Sequence, residues 1–228
     1  MILDSLLSVF FPRVCHVCGE KLPEGERSIC SSCLEALPRT YYHRRDPNPM
    51  ELLLASRVPI EHATALFFYS RRSALSQLVQ DLKYRGFPHL GTDLGRIMGL
   101  ELLPTGFFNG TDSLVPVPLH FLKKMKRGYN QSEMIARGIS EITGITVADI
   151  LRARRGHSTQ TGKTPQERMR NTEGIFVVRD PSLTAGKHVM IIDDICTTGA
   201  TLLSAAKAIH GASPGTRISV LTLGLAYD

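Results

Sequence analysis

One stretch restricts what this chain can fold into more than any other: His188-Val189-Met190-Ile191-Ile192-Asp193-Asp194-Ile195-Cys196-Thr197-Thr198-Gly199-Ala200-Thr201. Residues 189–192 are a continuous apolar run of the length of a buried strand. Two adjacent carboxylates follow, then a small, hydroxyl-rich loop with one glycine. Beyond the loop, Leu202, Ala205, Ala206 and Ile209 recur at i, i+3, i+4 and i+7, the stripe of a helix packed on a core. A loop that ends where a helix begins faces free backbone N–H groups and the positive end of the helix dipole. Thr197, Thr198 and Thr201 add hydroxyl donors, and Gly199 lets the backbone approach closely. A single phosphate fits such a cradle. Carboxylates beside it would repel a second phosphate but accept hydrogen bonds from sugar hydroxyls. Asp193 and Asp194 are therefore candidates to hold a ribose 2′- and 3′-OH while residues 197–201 hold its 5′-phosphate. The plainer alternative is an acidic strand end that caps a helix.

The segment resembles the phosphoribosyl-pyrophosphate (PRPP) loop of type I phosphoribosyltransferases: four apolar residues, two acids, two variable residues, then Thr-Thr/Ser-Gly-x-Thr. Every defined position is met. The chain contains no G-x-x-x-x-G-K-[ST], so a P-loop nucleotide site is not supported.

At 228 residues and 43% hydrophobic content there is room for one α/β domain plus a small module. Charge is unevenly distributed. Residues 120–170 hold 11 Lys/Arg against 4 Asp/Glu, and the remainder holds 16 against 17. The positive excess thus lies in one region, whose partner should be anionic: pyrophosphate, nucleic acid, or both. No window approaches the roughly 18 apolar residues of a membrane span. Residues 1–11 are apolar but carry Asp4 and lack a small-residue cleavage site, which makes a poor signal peptide. A cytoplasmic protein is expected.

Near the N-terminus, Cys15-His16-Val17-Cys18 and Cys30-Ser31-Ser32-Cys33 form two C-x2-C pairs separated by 11 residues. Each pair offers two thiolates on one tight knuckle, and two knuckles complete a tetrahedral Zn²⁺ site. Cys15, Cys18, Cys30 and Cys33 are therefore expected to bind a structural zinc. A disulfide framework is disfavoured in a cytoplasmic chain. His16, inside the first knuckle, is expected to be exposed rather than a ligand. The expected organisation is an N-terminal helix and zinc-ribbon-like module over residues 1–45, a proline-rich connector over 46–62, and an α/β domain over 63–228.

Within that last region, residues 66–69 read as a strand. Leu75, Leu78, Val79 and Leu82 give a second helical stripe ending in Lys83-Tyr84-Arg85-Gly86, and residues 90–103 suit another helix. Residues 113–117 read as a strand leaving the sheet through Pro116-Val117-Pro118-Leu119-His120. A basic loop follows, Phe121-Leu122-Lys123-Lys124-Met125-Lys126-Arg127-Gly128-Tyr129-Asn130-Gln131, and then a helix carrying Met134, Ile135 and Ile139. This second strand, loop and helix is another candidate anion site. Phe121 and Tyr129 are candidate base-stacking residues beside its lysines.

Five blocks in order resemble the ComF family of bacterial competence-associated phosphoribosyltransferase-like proteins. They are the four-Cys module, Leu82-Lys83-Tyr84-Arg85-Gly86, the segment from Pro116 through Arg127-Gly128-Tyr129-Asn130-Gln131, Gln160-Thr161 followed by Arg168 and Asn171, and the PRPP loop. One departure is Phe121, where family members often have proline. The resemblance implies a mostly parallel sheet flanked by helices, with ligand at the strands' C-terminal ends. It implies that Asp193 and Asp194 hold ribose and that Thr197, Thr198, Gly199, Ala200 and Thr201 bind the 5′-phosphate. Leu119, His120 and Arg127 would serve pyrophosphate, with Mg²⁺ bound alongside PRPP. Residues 155–171 would be a lid from which Arg168 reaches pyrophosphate. Lys83 reads equally as a helix-end charge or a ligand, and Cys196 as a small spacer. Two functions follow from the resemblance. One is Mg²⁺-dependent phosphoribosyl transfer with pyrophosphate release, linked to natural competence and DNA uptake. The other is a non-catalytic competence factor that binds single-stranded DNA, and competence proteins are implied partners. No residue identifies an acceptor base.

Overall fold

A computed structural model describes residues 13–55, 57–119, 121–154 and 174–227. Its centre is a five-stranded, all-parallel sheet in the order β1-β7-β6-β2-β3, built from β1 (Ala63–Tyr69), β2 (Ser113–Pro116), β3 (Thr146–Val147), β6 (His188–Cys196) and β7 (Arg217–Ala226). Strands β4 (Leu151–Ala153) and β5 (Phe176–Val178) form a separate antiparallel pair at the two ends of residues 154–175. The expected lid, including Arg168, Gln160, Thr161 and Asn171, lies outside the described residues, as do His120 and the expected N-terminal helix.

Helices cover both faces of the sheet, as the near-continuous apolar runs of its inner strands require. Alternate residues of each strand serve opposite faces. Met190 and Ile192 of β6, with Leu114, Leu221 and Leu223, meet α3 (Ala74–Tyr84), α4 (Pro88–Leu102) and α6 (Gln131–Thr143). Val189 and Ile191, with Val115 and Val220, meet α2 (Pro49–Ala55) and α7 (Ala200–Ala212). The expected stripes are the buried ones: Leu75, Leu78, Val79 and Leu82 on α3, and Leu202, Ala205, Ala206 and Ile209 on α7.

Three elements differ from the sequence reading. Strand β6 does not stop at Ile192 but continues through both aspartates, because β7 keeps pairing with it, Asp193 opposite Thr222 and Cys196 opposite Leu225. The stretch read as a connector carries α2, whose Met50 and Leu54 are fully buried. The stretch read as a basic loop folds as helix α5 (Phe121–Arg127). Leu, Lys, Met and Arg are strong helix formers, and Gly128 ends the helix at φ 79°.

The cysteine module packs on the α3–α4 side. Cys15, Leu22, Ile29 and Leu37 share one apolar core with Leu75, Leu78 and Leu90. Its short helix α1 (Ser31–Glu35) presents Cys33. Ser28 hydrogen-bonds the buried Asp93 of α4.

Candidate metal site and candidate ligand site

The five cysteines form no disulfide. The sulfurs of Cys15, Cys18, Cys30 and Cys33 lie within 4.8 Å of one another. Four sulfurs at about 2.3 Å from one tetrahedral centre are about 3.8 Å apart, and Cys18 Sγ and Cys30 Sγ are separated by 3.9 Å. The backbone N–H groups of Val17 and Cys30 both point at Cys15 Sγ, at 3.4 Å. Burial alone would raise the Cys15 thiol, but N–H donors from Cys18, Cys30 and Val17 outweigh it and bring it down to about 6. The Cys33 thiol is pushed the other way, up to about 12, by its hydrogen bond with Cys30 and by burial. Cys18 is raised too: the Glu20 N–H lowers it, but burial and the neighbouring Cys15 and Cys30 thiols outweigh that. Metal binding would displace these protons, and the tetrahedral spacing of the four sulfurs fits a metal such as zinc. His16 is not exposed as expected. Its side chain is largely buried, with Nδ1 2.9 Å from Asp81 Oδ2 and its ring edge-on to Phe87 at 4.8 Å.

The second site is built where β6 ends. Asp193 Oδ1 accepts from Ser132 Oγ at 2.8 Å and from the Asp194 N–H at 2.9 Å. Asp194 Oδ1 accepts from the Ile195 N–H at 2.6 Å, and its Oδ2 is 2.6 Å from Lys83 Nζ. Each carboxylate is thus held by one side chain and one backbone amide, while Asp193 Oδ2 has no partner among the described residues. Burial first, and the Asp194 carboxylate second, push the Asp193 carboxyl up to about 7.

Directly after the acids the chain makes its loop. Thr197, Thr198 and Thr201 are exposed, Ala200 is half-buried, and Gly199 starts α7 with φ 72°. That backbone favours glycine, and a Cβ there would also come within 3.0 Å of Leu54 Cδ2. Helix α2 therefore packs directly under the loop and fixes its path. Cys196 is buried behind it, and burial pushes its thiol up to about 12, so it stays a neutral packing group as expected of a spacer.

The basic side of the site is arranged by α6. Asn130 does not cap that helix through its side chain; Nδ2 donates instead to Val117 O at 3.0 Å, tying the strand exit to the helix start. Arg127 Nη1 donates to Gln131 Oε1 at 2.9 Å, and its guanidinium lies 5.1 Å from the Tyr84 ring centre. Tyr129 is not free to stack, because it is half-buried with its hydroxyl donating to Leu82 O at 2.6 Å. The Phe121 side chain lies outside those described; among the described side chains, the exposed aromatic beside the basic residues is Tyr84. Leu119 lines a cavity of about 450 Å³ with Pro116, Pro118, Lys124, Arg137 and Arg152. Neither aspartate borders that cavity; we take the acidic pair and the threonine loop as the site's centre, because the convergent polar groups are there.

Sequence reasoning missed Ser132, and it left Lys83 undecided between a helix-end charge and a ligand. Ser132 carries no local signal beyond its place next to Asn130 and Gln131. Lys83 stands in the K-Y-R-G block but could not be told from an ordinary helix-end lysine.

The family model for the phosphoribosyl transferase domain matches residues 107–224, just over half of the chain. Among curated proteins, the chain is similar to DNA utilization protein YhgH of Escherichia coli, at 27% identity over 214 residues, covering 87% of this chain and 91% of that protein. Competence protein F of Haemophilus influenzae is 28% identical over 146 residues, 60% of this chain and 62% of that one. Competence protein ComFC of Bacillus subtilis is 24% identical over 216 residues, 92% and 83% respectively. With its acidic pair and threonine loop on a parallel sheet, its four-cysteine cluster and these relatives, the chain belongs to the ComF family of phosphoribosyltransferase-domain proteins.

Proposed function

We propose that the β6–α7 junction binds PRPP and that the protein transfers its phosphoribosyl group. The observation that carries this reading is the juxtaposition of Asp193 and Asp194 with an exposed threonine loop at the start of a 13-residue helix. Asp193 Oδ2 is available to a ribose hydroxyl, and the loop amides and Thr197, Thr198 and Thr201 suit the 5′-phosphate. Arg127 and Leu119 would serve the pyrophosphate; His120 and Arg168, which the resemblance assigns to it as well, lie outside the described residues. Mg²⁺ bound with PRPP supplies neutralising charge for the pyrophosphate.

In the transfer, an acceptor lone pair forms the new bond to ribose C1. The C1–oxygen bond breaks, pyrophosphate leaves with the bonding electrons, and the acceptor loses a proton. Positive charge develops on the ribose ring, which the adjacent carboxylates stabilise. Lys83, 2.6 Å from Asp194 Oδ2, orients that carboxylate until ligand arrives. In this proposal residues 1–45 form the zinc module, 46–62 the link, and 63–228 the transferase-like domain.

A second reading is single-stranded DNA binding without turnover. The exposed Lys123, Lys124 and Lys126 of α5 beside the Arg127–Tyr84 stack favour it, as do relatives named for DNA utilization and competence. Both readings can hold for one surface. Calorimetry with PRPP and Mg²⁺ tests the first, followed by a pyrophosphate-release screen with bases and single-stranded DNA. Asp193→Asn with Asp194→Asn should weaken PRPP binding by about 1.5–3 kcal/mol per lost charge-assisted hydrogen bond. Equal binding by wild type and the double variant would refute the ribose assignment.

A further inference from the structure

The cysteine knuckle and the acidic pair lie on different elements, yet one helix touches both. His16 sits between two of the four clustered cysteines. Its Nδ1 is 2.9 Å from Asp81 Oδ2, and Gln77 Nε2 donates to its carbonyl oxygen at 2.6 Å. Gln77 and Asp81 are one turn apart on α3, so the knuckle grips the last two turns of that helix on one face. Asp81 is buried, and its other oxygen is 3.2 Å from Arg85 Nε. Two residues beyond Asp81, Lys83 leaves the same helix and reaches Asp194 Oδ2 at 2.6 Å. Tyr129 holds the same turn from the other side through the Leu82 carbonyl.

Lysine is a long side chain with several rotatable bonds, and a 2.6 Å contact with Asp194 depends on where the α3 backbone stands. Helix ends open locally more readily than helix centres, so each contact on this turn helps fix where Lys83 stands. We infer that His16 is a positioning residue for the acidic pair: by clamping Asp81 it sets the final turn of α3, and thereby holds Lys83 on Asp194. The consequence for ligand rests on the proposed PRPP site; the clamp itself does not. The cysteine module then does more than add stability, since its knuckle orients a group in the site of the neighbouring domain.

The test reads Lys83 directly. Trace acetylation with acetic anhydride, followed by mass spectrometry, reports how protected Lys83 is relative to the exposed Lys123 of the same molecule. His16→Ala, shown by metal analysis to keep its zinc, should raise Lys83 labelling at least threefold. His16→Asn, whose amide places a donor near the position of Nδ1, should restore protection. Asp81→Ala breaks the same link from the α3 side with the knuckle untouched, and should copy His16→Ala even if that variant loses metal. PRPP affinity should fall about fivefold in His16→Ala, and the same change made in a Lys83→Met background should add nothing. Lys83 labelling that is unchanged in both His16→Ala and Asp81→Ala would overturn the proposal, as would additive losses in the double variant. Failure of the wild-type protein to bind PRPP would instead refute the proposed function, while the labelling comparison would still decide the clamp.

Discussion

At the scale of single residues, Asp193 carries a stability penalty that its position explains. In the unfolded chain its carboxyl titrates near 3.8; in the fold, burial and Asp194 move it to about 7. Between those values the native state holds a proton that the unfolded state has released. Stability must therefore fall as pH rises through that window, the reverse of a salt-bridged aspartate. Asp193→Asn removes the titration, so wild type should lose up to about 4 kcal/mol relative to the variant between pH 4 and pH 7.5. Urea unfolding at several pH values measures this, and parallel pH profiles would contradict it. The variant should be the more stable protein at neutral pH and the poorer ligand binder, as expected where a site holds charge at a cost. The acids themselves were legible, since an apolar run, two carboxylates and a hydroxyl loop form a local pattern. Their partners were not. Lys83 and Ser132 reach Asp194 and Asp193 from α3 and α6, and only the tertiary fold brings them there.

At the scale of elements, α4 and α6 lie unusually close. Gly91, Gly95 and Gly99 recur every four residues along one face of α4, opposite Met134, Ile135 and Ile142 of α6. A Cβ at Gly95 would fall 2.0 Å from Ile135 O, and one at Gly138 would fall 2.0 Å from Thr92 O. These are backbone atoms, so no side-chain rotation relieves the clash. Gly95→Ala or Gly138→Ala should each cost about 1–3 kcal/mol or more in chemical unfolding. The pair should be less than additive, because the first substitution already parts the helices. Either change should also weaken PRPP binding, since the start of α6 carries Asn130 and Ser132. An alanine variant as stable as wild type would mean the helices can separate freely. The helices α3, α4, α6 and α7 were legible because long amphipathic stripes recur on them. The strands β3, β4 and β5, of two or three residues each, are too short to show a period. Helix α5 was hidden because its lysines resemble a solvated loop; what decided it was helix propensity and the stop at Gly128.

At the scale of the whole molecule, the cysteine module and the parallel sheet share one core. Because Cys15, Leu22 and Ile29 pack with Leu75 and Leu78, loss of metal should loosen more than the knuckles. Metal analysis should find one zinc per chain, and chelation should lower the melting temperature of the entire protein rather than of a separate small unit. The charge excess of residues 120–170 begins on α5, where Lys123, Lys124 and Lys126 are all exposed. Pyrophosphate needs only a few positive groups: Arg127 is already assigned to it, and Lys124 lines the cavity beside Leu119, another residue assigned to it. Lys123 and Lys126 are surplus to that ligand. A single strand of nucleic acid could use them, with its phosphates along α5 and a base on the open face of Tyr84, whose other face meets Arg127. Binding of single-stranded DNA should then weaken steeply with salt, with a log–log slope of about −0.7 for each phosphate contacted. Replacing Lys123 and Lys126 by alanine should flatten that slope by about 1.4. Tyr84→Ala should weaken binding by about 1–3 kcal/mol without altering the slope, because stacking releases no counterions. PRPP affinity should survive the double lysine change, since neither side chain belongs to the phosphate loop. A slope that the lysine changes leave untouched would put the strand on another face of the molecule. A Tyr84 variant that alters the slope instead of the intercept would mean that the ring only orders Arg127 for a phosphate.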